Sequence, residues 1–204
     1  VIALLSTLQS LPDDERATVE RALVPLARRA AIGALAADIA HDAGNALFGV
    51  IGLLELILAD EPLGRDRREL LLSSSRDLDR TLRPFLQFAR AGDDAGARSD
   101  LAELVREAVS LYRHGLRKVE PLAVDVPEGP VRVAVPPSLA GQAVVHLLLA
   151  ADLAASIELR DGAVRIAPVR EQSLDEIVAA RIAADHGGSL AREDGAYVLR
   201  LPPA

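Results

Sequence analysis

Residues 32–57 read IGALAADIAHDAGNALFGVIGLLELI. At about 100° per residue, Ile32, Leu35, Ile39, Ala43, Ala46, Val50, Leu54 and Ile57 fall within about 60° of Ile39, so they form one apolar face of a long helix. Upstream, Pro12 followed by Asp13, Asp14 and Glu15 suits a helix start, because proline is tolerated in the first turn and acids complement the positive end of the dipole. A short helical segment, Val1 to Ser10, is expected before it. Downstream, Asp60-Glu61-Pro62-Leu63-Gly64 interrupts the pattern. A second helix follows from about Arg65 to Arg90, with the stripe Leu71, Ser74, Leu78, Leu82, Phe85 and Ala89. Pro84 is expected to bend it, since its ring removes a backbone donor.

The pattern predicts a long αα-hairpin whose two apolar stripes exceed what two helices can cover. Two chains together can bury them as a dimeric four-helix bundle, so a homodimer is expected. Packing of the stripes on the rest of the same chain is the open alternative.

Gly92-Asp93-Asp94-Ala95-Gly96 reads as a linker, dividing residues 1–91 from residues 97–204. In the second part, Asp100 with Glu103 resembles a capping box opening a helix to about Leu116. Val124–Val126 and Val131–Val135 look like strands around Pro127-Glu128-Gly129-Pro130. Pro136-Pro137 starts a helix to about Ala155. Ile157–Arg160 and Ala163–Ala167 flank Asp161-Gly162, a hairpin signal. Ser173 with Glu176 caps another helix, ended by Gly187-Gly188, and strands at Leu190–Arg192 and Tyr197–Leu201 flank Asp194-Gly195. The expected class is α+β: a helical hairpin followed by a small α/β sandwich with helices on one face of a mixed sheet.

Composition excludes several functions. The 204 residues include 23 basic and 30 acidic side chains, a net charge of −7, with two Tyr, three Phe and no Trp. That is the wrong sign for tracking a phosphate backbone and too few rings for stacking bases, so no nucleic-acid partner is expected. No cysteine is present, and His41, His114, His146 and His186 are spaced too widely for a metal site. The longest apolar stretch, Ala46 to Ala59, carries Glu55 and is short for a bilayer span. No signal peptide is legible. The expectation is a cytoplasmic protein, or a fragment of a longer one since it lacks an initial Met, with no membrane contact.

The chemistry centres on Ile39-Ala40-His41-Asp42-Ala43-Gly44-Asn45-Ala46-Leu47. On the helix, His41 sits at about 200° and Asn45 at about 240° from Ile39, facing solvent one above the other. Ala34, Ala37, Gly44 and Gly52 share that face, leaving room for close approach. Interior helical glycines cost about 1 kcal/mol each relative to Ala, so Gly44, Gly49 and Gly52 call for docking or helix contact as a reason.

His-Asp-x-x-Asn-x-Leu resembles the H-box of the dimerisation and histidine-phosphotransfer domain of sensor histidine kinases. The resemblance implies that His41 accepts a phosphoryl group, that Asp42 orients or activates the imidazole, and that Asn45 helps position water when a partner is dephosphorylated. A neutral imidazole is a usable nucleophile near pH 7, and a carboxylate can hold its tautomer. The family usually has Pro after the residue at i+4; here Ala46 stands there, which implies less bending below the histidine. Residues 99–204 are similar to the family's ATP-binding, Bergerat-like domain. Ser138–Ala151 resembles the helix bearing the N-box, and Ala179–Leu190 the helix and glycine pair after the ATP lid.

Departures from the family pattern set the expected function. Where the N-box carries two Asn, this chain has His146 and Ala150, and Ala150 offers no oxygen to a magnesium ion. No Asp-x-Gly-x-Gly follows Ala167. Only Val169 to Gln172 lie between Pro168 and Ser173, a reach of roughly 14 Å, too short for a nucleotide lid. On apolar surroundings His146 reads as a core or edge residue. His114 and His186 read as helix-end residues, and Arg65, Arg67 and Arg68 as a solvated basic patch. The expected protein is a histidine phosphotransferase without a cofactor of its own. It would pass phosphoryl groups through His41 between response-regulator receiver domains, which supply the magnesium. A diverged kinase and a non-catalytic scaffold are the alternatives.

Overall fold

The computed structural model describes residues 6–8, 10–58, 64–89, 98–116, 122–151, 156–169 and 172–204. The expected linker at Gly92–Gly96, the first five residues and most of the Asp60–Gly64 connection lie outside them. Helix α1 spans Asp13–Leu58 and α2 spans Arg65–Ala89, each running through a proline, Pro25 and Pro84 respectively. The two form the expected hairpin. Gly49 of α1 turns toward α2 so closely that a Cβ there would lie 3.2 Å from Ser74 Oγ.

The second part follows as β1 (Ser99–Asp100), α3 (Leu101–Leu116), β2 (Ala123–Asp125), β3 (Arg132–Val133), α4 (Pro137–Ala151), β4 (Ser156–Arg160), β5 (Ala163–Ala167), α5 (Leu174–Asp185), β6 (Ser189–Glu193) and β7 (Ala196–Arg200). Five strands form one mixed sheet in the order β2-β4-β5-β7-β6, parallel only between β2 and β4. Both Asp-Gly turns have positive φ at each central residue: 50° and 73° at Asp161-Gly162, 48° and 72° at Asp194-Gly195. Those angles match the twist of the flanking strands. Asp100 opens α3, accepting from the backbone N–H of Ala102 at 3.1 Å, and Ser173 opens α5, accepting from Glu176 N–H at 3.2 Å.

Pro127–Pro130 separates β2 from β3, the two strands expected around it. The segments on either side of it do not pair with each other: β2 lies along β4, while β3 pairs antiparallel with β1. Asp100 supplies the competing partner, since its carboxylate accepts from Val131 N–H at 3.0 Å and the Val131 carbonyl accepts from Leu101 N–H at 2.8 Å. A two-residue strand such as β1 is too short for periodicity to register.

Alternation along the strands turns Ile157, Leu159, Val164, Ile166, Tyr197 and Leu199 inward, all buried. The opposite positions carry ion pairs, Arg160 with Asp125 and Glu158, and Arg200 with Glu193. The core does not stop at the domain boundary. Ala27, Ala31, Leu35 and Ile39 of α1 and Phe88 of α2 join the same buried cluster as Leu101, Val105, Val144, Leu148 and Ile182. Thus the upper part of the α1 stripe is covered within the chain, by α2 and by the α/β domain, and needs no second copy there. The lower part differs: Leu54 and Ile57 of that stripe are exposed, as are Leu47 and Ile51 beside it on α1 and Leu70 and Leu72 of α2. No helix among the described residues is long and apolar enough to cross a membrane.

Candidate functional site

Burying Leu35 and Ile39 fixes the rotation of α1, and that rotation turns His41 and Asn45 to solvent. The two side chains stand one turn apart, about 6 Å along the axis. Ala34 and Ala37 are exposed on the same side, and an added Cβ at Gly44 or Gly52 would meet nothing within 4 Å. Gly44, Gly49 and Gly52 therefore divide. Gly49 serves the packing against α2, whereas Gly44 and Gly52 lie on the open face around the histidine.

Asp42 is placed differently. It is half-buried, and it lies about 20° on the wheel from Gly49, which faces Ser74 of α2. Its side of the helix is the hairpin side, about 100° around from His41. Of the three sequence-predicted residues, the fold brings His41 and Asn45 onto one open surface and turns Asp42 toward the seam between the helices.

Sequence reading missed Phe48. It is 77% exposed, and its position seven residues after His41 puts it about 20° from the histidine on the wheel and about 10 Å further along. The signal was present: one of only three Phe in the chain falls on the polar side of an amphipathic helix, where burial cannot explain it.

The N-box-like stretch forms α4, with Gln142, His146 and Ala150 on one buried face. His146 is fully buried, the core position expected for it, and it has a partner that sequence reading did not find. Its Nδ1 lies 2.7 Å from Asp175 Oδ1 in the first turn of α5. A carboxylate only accepts, so Nδ1 carries a proton and donates. The Phe88 ring meets the imidazole edge-on, with centroids 6.4 Å apart. Of the short connection at Val169–Gln172, Arg170 and Glu171 lie outside the described residues. His186 caps α5, its Nδ1 3.0 Å from the Ile182 carbonyl, and Arg65 pairs with Glu69 at 3.0 Å on the surface.

No protein-family model matches the chain, and no curated protein does. Solved structures similar to it include a bacterial phosphotransferase, at 18% identity and a TM-score of 0.37 over 82% of this chain and 93% of that one. The histidine kinase AdeS of Acinetobacter baumannii is 11% identical at a TM-score of 0.37, over 80% of this chain and 98% of that one. A histidine kinase from Burkholderia phymatum is 13% identical at 0.38, over 80% and 95%.

Proposed function

We propose that this chain is a histidine phosphotransferase of a two-component phosphorelay inside the cell, carrying phosphoryl groups between receiver-domain aspartates through His41. The observation that carries the reading is an imidazole held in solvent on a long helix, with Asn45 one turn away and open backbone at Gly44 and Gly52 along the same face. An ordinary surface histidine needs none of these. In the proposed step an unprotonated ring nitrogen of His41 attacks phosphorus, the N–P bond forms, and the P–O bond to the aspartate breaks. The aspartate leaves as a carboxylate, and the proton on the other ring nitrogen passes to Asp42 or to water. The receiver supplies the magnesium ion, so catalysis by this chain is mainly positioning.

An ATP-dependent kinase is the weaker reading. His146 is enclosed in the core with its Nδ1 committed to Asp175, and Ala150 beside it offers no oxygen to a cation. A homodimer built on the exposed lower half of the hairpin belongs to the proposal.

Incubation with a phosphorylated receiver should leave an acid-labile phosphate on the wild type and none on His41→Ala. The variant should keep its fold, since an exposed substitution changes stability by about 0.5 kcal/mol or less. Asp42→Ala should slow transfer without abolishing it, and Asn45→Ala should alter hydrolysis of the phosphorylated receiver more than transfer. If the wild type never acquires the phosphate from any receiver, the scaffold reading replaces this one. If it does so from magnesium and ATP alone, the kinase reading does.

A further inference from the structure

We infer that a structural water molecule bridges Gln142 Oε1 and His146 Nε2, a buried hydration site on α4 that is independent of any phosphoryl chemistry. Gln142 is 2% exposed and His146 0%. Neither of the two atoms has a hydrogen-bond partner among the described residues. A buried polar atom in that condition loses its hydration with nothing in return, a cost that native interiors avoid. Helix geometry puts the two unmet atoms in one place. Gln142 and His146 are one turn apart on the same face of α4, and helical side chains lean toward the N-terminus. The imidazole therefore reaches back over the turn that carries Gln142.

The atoms themselves select the ligand. His146 Nδ1 is committed to Asp175 at 2.7 Å, so Nε2 is the ring nitrogen left to the site. Gln142 Oε1 is a carbonyl oxygen and only accepts. The ligand must therefore donate to Oε1 and suit Nε2 in either form, donating to a bare nitrogen or accepting from a protonated one. One water molecule does all of this. An anion has no proton for the amide oxygen. A zinc ion would find one imidazole nitrogen and one amide oxygen where its sites supply three or four ligands, and no group of three His, Cys, Asp or Glu among the described residues could hold a metal. Small side chains leave room, since Ala143 and Ala150 stand about one turn to either side of His146. The Phe88 ring meets the imidazole edge-on and does not cover its face, with centroids 6.4 Å apart. Two polar partners are enough to hold a buried water in place.

A crystal structure of the whole chain, at a resolution that shows ordered water, tests the site directly. The expected result is a solvent peak within about 3.2 Å of both Gln142 Oε1 and His146 Nε2. A direct hydrogen bond between the two side chains overturns the inference, as does a peak that touches only one of them, or no peak. So does a peak at about 2.0–2.1 Å from Nε2, the distance of a zinc ion. Thermal melts of Gln142→Met, His146→Phe and the double variant give a second reading that needs no crystal. Each single substitution removes one anchor of the water and strands the other, whereas the double variant strands neither. The loss of Tm in the double variant should therefore fall short of the summed single losses by at least about 2 °C. Additive losses overturn the bridge. If His146→Phe does not fold, judged by circular dichroism, the crystal structure decides.

Discussion

Phe48 stands two turns below His41 with most of its ring in water, a costly place for an aromatic side chain unless something covers it. Buried aromatic anchors dominate the energetics of protein interfaces. Phe48→Ala should therefore weaken capture of a receiver by about 1–3 kcal/mol, roughly five- to a hundred-and-fifty-fold in Kd, with little change in stability. Gly44→Ala gives the complementary test on the same face. Alanine should stabilise the helix by about 1 kcal/mol, because the added methyl meets no neighbour. If a partner backbone approaches there, the same methyl should reduce affinity. Calorimetry with a receiver, alongside a thermal melt, separates the two effects.

At the scale of elements, Gly188 shows how tightly the end of α5 meets the sheet. A Cβ at this position would fall 2.4 Å from the Arg200 carbonyl oxygen and 3.3 Å from that of Ala183, both backbone atoms that cannot swing aside. Gly188→Ala should cost about 1–3 kcal/mol and lower Tm by several degrees. Gly187 and Gly188 were legible as a helix stop because the chemistry of that turn is local, and so were both Asp-Gly hairpins and the Ser173 cap. Pairing between distant strands was not legible. β2 (Ala123–Asp125) and β3 (Arg132–Val133) are joined through Pro127–Pro130, but the choice of β4 and β1 as partners is made by tertiary packing that no short-range pattern encodes. The site divides in the same way. The outward face of His41 and Asn45 follows from helical period alone. The partner of His146 lies on a helix that begins 28 residues later in the chain.

For the whole molecule, the two ends of one stripe are in different environments, and that difference predicts different outcomes for the same kind of substitution. Leu35 is sealed beneath α2 and the α/β domain, so Leu35→Asp should prevent folding by burying an unpaired charge. Leu54 is exposed within a single chain. Leu54→Asp should leave the monomer folded and dissociate the proposed dimer, read as a halved mass by light scattering at unchanged helical circular dichroism. A wild type that is monomeric at micromolar concentration would remove the dimer from the proposal.

The core that crosses from the hairpin into the α/β domain also has a consequence for synthesis on the ribosome. Helix α1 emerges first, but α5, which packs on it and shares its buried cluster through Ala179 and Ile182, follows Ile39 by about 140 residues. At translation rates of about 5–20 residues per second, that cover arrives roughly seven to thirty seconds later. During this interval α2 and α3 are already made, and the part of the α1 face that α5 covers is still open. The time of greatest risk of aggregation thus falls before the last third of the chain has been made.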